Sequence, residues 1–76
     1  MENVVKIQIL ATNEATKNVV DGPNVELFKV EIPKDKYTTE HFVEVVTMSL
    51  QLWRVASALK HMVVRKDNLN LVTYVR

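Results

Sequence analysis

The fold turns on one stretch, Met48 to Val64, MSLQLWRVASALKHMVV. It holds the chain's only tryptophan, Trp53, and reads as the back half of a long helix. Thr38 or Thr39 can open that helix, because a hydroxyl accepts a hydrogen bond from an orphan first-turn N–H. Glu40 and Glu44 follow where the helix dipole favours anions. Neither proline nor glycine occurs after Pro33, so no strong breaker marks the end.

Two endings compete. In the first, the helix runs to Lys66. Val63 and Val64 then fall on the same face as Val45 and Val46. Lys60, His61, Arg65 and Lys66 complement the C-terminal dipole, and Asn68 serves as a left-handed cap. In the second, the helix stops near Lys60, and HMVVR becomes a strand turned at Lys66–Asn68 onto a further strand. The longer helix is the expectation. Lys60, which falls beside Phe42 on the helical wheel, is its misfit.

At ~100° per residue, Met48, Leu59, Leu52, Val45, Ala56, Phe42, Trp53 and Val46 cover one continuous arc. Val55 widens it on one side, and Leu50 and Val43 on the other. The whole spans about 240°, against about 100° or somewhat more for an ordinary surface helix. One sheet covers one side of a helix, so Val43, Leu50 and Val55 are expected to form a self-association surface. The competing explanation is that the loop at 12–24 folds over the flank. Trp53 lies near the middle of the arc and reads as core, its indole N–H meeting a carbonyl.

Upstream, VKIQILA at 5–11 alternates, with Val5, Ile7, Ile9 and Ala11 on one face and Lys6, Gln8 and Leu10 on the other. TNEATKN at 12–18 reads as a loop and DGPN at 21–24 as a turn. VELFKVEI at 25–32 alternates again, with Phe28, Val30 and Ile32 inward. These two strands suit an antiparallel hairpin. Downstream, LNLVTYV at 69–75 forms a last strand. The expected fold is α+β: a small, mainly antiparallel sheet in ββαβ order, with ββαββ as the alternative, packed on one long helix. Residues 1–76 read as a single domain.

A chain of 76 residues buries only about 60% of its unfolded surface. Small domains commonly add disulfides, metals or oligomerisation. There are no cysteines and two histidines, which leaves oligomerisation and fits a reducing compartment. No apolar run approaches the ~18 residues of a membrane span, and MENVVKIQIL lacks the basic start of a signal peptide. A cytoplasmic location is expected.

The net charge of +1 is uneven. Residues 1–53 carry five lysines against eight acids, a balance of −3; residues 54–76 carry five cations against Asp67, a balance of +4. Arg54, Lys60, His61, Arg65 and Lys66 are the residues from which a nucleic-acid contact would be built. The pI of 8.1 falls below the value above about 9 that marks a strong electrostatic footprint.

No catalytic residue, metal ligand or cofactor-binding motif is expected. Glu40, His41 and Glu44 share a helical turn but match no zinc signature. Ser49 and Ser57 lack the glycines of a nucleophile elbow. One glycine cannot build a phosphate-cradling loop. The functional expectation is a small non-catalytic homo-oligomeric interaction protein, a dimer by preference, acting as adaptor, modulator or inhibitor of another macromolecule. A dimeric nucleic-acid-binding protein is the alternative, and a small enzyme with an intersubunit site comes third.

Overall fold

A computed structural model describes residues 3–13 and 24–76. Residues 21–23 of the turn expected at 21–24, and 14–18 of the loop expected over 12–18, fall outside the described residues; Thr12, expected in that loop, is the last residue of the first strand. The elements run β1 (Val4–Thr12), β2 (Val25–Pro33), α1 (Thr39–Ala56), β3 (His61–Lys66) and β4 (Leu69–Val75). The strands form one antiparallel sheet in the order β2-β1-β3-β4, with α1 against one face. This is the ββαββ form of the expected α+β fold.

β1 is central, and its alternation sets the core. Val5, Ile7, Ile9 and Ala11 are buried under the helix beside Met62 and Val64 of β3. β2 adds Phe28, Val30 and Ile32 from one side, half-buried against the same core. Its ladder with β1 slips between Ile9 and Leu10, which leaves Leu27 as an extra residue. The outer face holds a smaller buried pair, Leu10 and Val63, directly opposite each other in register.

The helix begins where expected. Thr38 is extended (φ −133°, ψ 161°), and its hydroxyl accepts the His41 N–H at 3.2 Å. Its end corrects the sequence reading: α1 stops at Ala56, well before Lys66, and His61–Lys66 is a strand. A short run such as HMVV, buried on both faces, carries no periodicity that separates strand from helix. Here β1 captures it, and Met62, Val63 and Val64 are all fully buried.

The stop is built by local and long-range contacts together. The Trp53 indole N–H donates to the Leu59 carbonyl at 2.7 Å, and the Ser57 hydroxyl accepts the Leu59 N–H at 3.1 Å. Together they hold 57–59 in a non-helical bend. Arg76, just past β4, donates from its guanidinium to the Trp53 carbonyl and lies 4.8 Å from the indole centroid. The Lys60 N–H is taken by Asn13 Oδ1 at 2.8 Å. Lys60 is therefore outside the helix, which removes its misfit on the wheel.

Asp67 and Asn68 do not cap a helix. They are the two residues between the paired Lys66 and Leu69, with φ of 51° and 70°. Positive φ at both central positions is the signature of a type I′ hairpin, and Asp and Asn tolerate it. Asp67 has a second task. Its N–H donates to the Lys6 carbonyl at 2.9 Å, and its carboxylate accepts the Lys6 N–H at 3.0 Å. The side chain thus replaces the carbonyl that a continuing strand would offer, and the β1–β3 ladder gains one more pair. Asp67→Ala loses that acceptor and sits poorly at positive φ. It is expected to cost about 1–2 kcal/mol, read as a lower urea midpoint with unchanged slope.

Candidate interaction surfaces

The sheet-facing side of α1 is narrower than its apolar arc. Val46, Ser49 and Trp53 are buried, and Phe42, Val45 and Leu50 pack half-buried against the core. Leu50, expected on the flank, is therefore covered in part by the chain's own core. Val43 is 54% exposed, Met48 43%, Leu52 42% and Val55 88%. Met48 and Leu52 were expected under the sheet. They follow Val55 instead, because the contact face centres on the small Ser49 and on Trp53. Met48, Leu52 and Val55 stand at i, i+4 and i+7, one continuous stripe along the helix. Val43 lies on the opposite flank.

A second apolar tract was not anticipated. Leu69 is 67% exposed, Leu71 51% and Val75 58%, all on the edge strand β4. The two edges of the sheet contrast. β2 carries Glu26, Lys29 and Glu31 and ends at Pro33, the charged and proline-blocked pattern that discourages pairing. β4, LNLVTYV, carries no charge and no proline. Among the described residues nothing pairs with its outer edge. The usable signal in the sequence was that uncharged run, once it is known to be an edge.

The basic residues of the C-terminal third do not converge. Arg54 is exposed on the helix and Lys60 in the connection that follows it. Strand alternation sends His61 and Arg65 to the outer face and Lys66 to the helix side, where its ammonium lies 4.8 Å from the centroid of the Tyr37 ring. Arg65 donates to the Asn68 carbonyl at 3.0 Å. It also lines a cleft on the outer face with Lys6, Gln8, Lys29 and Asn68. Gln8 there donates to Glu26 at 2.9 Å. Lys6 and Lys29 were not among the expected contacts; they join Arg65 only through cross-strand register, with Gln8 opposite both Lys29 and Arg65.

Three buried polar atoms have no hydrogen-bond partner among the described residues: Ser49 Oγ, His61 Nδ1 and Arg65 Nε. No group of three or more His, Asp or Glu among the described residues is placed to hold a metal ion. None of the described helices is long and apolar enough to cross a membrane. Comparison with protein-family models, curated proteins and solved structures finds no match to this chain.

Proposed function

We propose that this chain is a small non-catalytic cytoplasmic protein that self-associates, as a dimer by preference, and acts on another macromolecule as adaptor, modulator or inhibitor. The observation that carries the reading is the pair of exposed apolar tracts, Met48–Leu52–Val55 on α1 and the uncharged edge strand β4. Burying one Val or Leu is worth roughly 1.5–3 kcal/mol. That is a large increment for a domain whose whole stability is about 0.05–0.15 kcal/mol per residue. Twofold association, with the same patch used on both copies, is the commonest way to cover such surface. With one tract taken up between copies, the other is free for a partner.

Light scattering over a concentration series tests self-association directly: a dimer mass is expected, and a monomer at the highest concentration reached would sink the reading. Val55→Glu and Leu52→Glu then ask whether the helical stripe serves the dimer or a partner. Because Val55 is so exposed, Val55→Glu should leave thermal unfolding within about 0.5 kcal/mol of the parent.

Nucleic-acid binding is the second reading, and the cleft that gathers Lys6, Lys29 and Arg65 is what favours it. Phosphate contacts are strongest at low salt. Random-sequence DNA or RNA should therefore bind at low ionic strength and be released as salt rises. Absence of binding at low salt removes this reading.

A further inference from the structure

We propose that two copies of this chain join through β4, strand to strand and antiparallel about Thr73, so that two four-stranded sheets become one of eight strands. The inference rests on the self-association reading and names its interface.

The hydrogen-bond phase of the sheet points to it. The Asp67 N–H on the Lys6 carbonyl and the Arg76 N–H on the Lys60 carbonyl fix which residues face which neighbour. In an antiparallel ladder, residues alternate between turning their main-chain groups to one neighbour and to the other. Counting from Asp67, the residues Arg65, Val63 and His61 turn theirs to β1. Val64 and Met62 turn theirs to β4, where Val72 and Tyr74 stand opposite. Counting from Arg76 gives the same phase. Thr73 and Val75 therefore aim their N–H and C=O groups at the open edge. A second strand meeting that edge finds donors and acceptors already aligned.

The sequence of the edge identifies the occupant as a second copy. A twofold axis through Thr73 places every residue opposite its mirror position. Thr73 meets the partner's Thr73, Val72 meets the partner's Tyr74, and Leu71 meets the partner's Val75. LVTYV is thus matched to itself: a threonine pair at the centre, an aromatic–β-branched pair on either side, then an apolar pair. Threonine pairs and aromatic–β-branched pairs are among the favourable cross-strand combinations. No charge occurs between Leu69 and Val75, so self-pairing brings no like charges together. β2 is the poorer edge for pairing, because it carries Glu26, Lys29 and Glu31 and ends at Pro33. The extra residue that bends β4, Leu71, sits opposite the slip between Val64 and Arg65. It limits the paired segment to about five residues and sets its N-terminal end.

Sedimentation of the full chain, with Thr73→Pro, Val75→Lys and Leu52→Glu variants, tests the interface. Proline at a position whose N–H faces outward leaves the β3–β4 ladder intact. Thr73→Pro and Val75→Lys should each raise the dimer dissociation constant about tenfold to hundredfold, while Leu52→Glu should not. Circular dichroism confirms folding of each, and Val75→Lys carries the test alone if Thr73→Pro unfolds. In hydrogen exchange, the Thr73 and Val75 amides should be protected at high protein concentration and lose protection on dilution. A dimer unaffected by both β4 substitutions but dissolved by Leu52→Glu overturns β4 pairing and leaves self-association standing. A monomer at every concentration overturns both.

Discussion

Trp53→Ala is expected to lower the unfolding free energy by about 3–5 kcal/mol, the range for deleting a large buried aromatic. For a chain of this size, with total stability of roughly 0.05–0.15 kcal/mol per residue, that is about a quarter of the total at the upper end of the range and all of it at the lower end. The loss is more than volume. The indole is 3% exposed and packs between α1 and the sheet. Its N–H satisfies the Leu59 carbonyl, so truncation also strands an acceptor. Arg76 loses the ring it lies over, though not the Trp53 carbonyl it donates to. Trp53→Phe separates these parts in the main, since it keeps an aromatic ring in the site while removing the indole donor and the volume of the second ring. It should cost about 1–3 kcal/mol. Chemical denaturation followed by circular dichroism reads both. If Trp53→Ala cost less than about 1 kcal/mol, the residue would not be the pin that ends α1 and holds the C-terminus.

The same residue shows what was legible in the sequence. Its burial and its donation to a carbonyl were readable, because a tryptophan amid Val46, Ala56 and Phe42 has one sensible place. So were the inward alternation of Val5, Ile7, Ile9 and Ala11 and the capping hydroxyl of Thr38, since each depends only on local spacing. The end of the helix was not. No residue at 57–60 is a breaker. The bend there depends on Trp53 reaching Leu59, Asn13 reaching Lys60 and Arg76 reaching back from the far end of the chain. The bonds from Asn13 and Arg76 are long-range, and no window around Ser57 contains them; the Trp53–Leu59 bond is local in sequence, but it forms only once the chain has already turned. The helix flanks were half legible: Val43 and Val55 are exposed as expected, but Leu50 packs inward while Met48 and Leu52 turn outward. A wheel gives relative angles, and only the sheet fixes the direction of zero. The edge at β4 needed the strand order itself, because LNLVTYV reads the same whether it lies at the centre of a sheet or at its margin.

Ser49 should respond to two substitutions with opposite signs. Its side chain is fully buried on the face of α1 that meets the sheet, and its Oγ has no hydrogen-bond partner among the described residues. A buried hydroxyl without a partner costs about 1–3 kcal/mol in desolvation, and alanine is also the better helix former by a few tenths. Ser49→Ala is therefore expected to stabilise the chain by about 1 kcal/mol, which raises Tm by roughly 4–8 °C for a domain of this size. Ser49→Leu keeps the site apolar but asks for volume that is not there. Ser49 is fully buried between Val46 and Trp53 on the face of α1 that packs on the sheet, where a small residue leaves room for close packing. Forcing extra methylenes into a packed contact typically costs about 1–3 kcal/mol through strained rotamers and backbone shifts. Here the shift would lift Trp53 and Val46 from the sheet together, so the upper end of that range is expected. Urea titrations of the two variants and the parent decide it. A stabilising alanine with a destabilising leucine fits a close helix–sheet contact that tolerates serine only for its size. A destabilising alanine would mean that the hydroxyl has a partner, such as a bound water, and that the contact is held by that bond rather than by close approach alone.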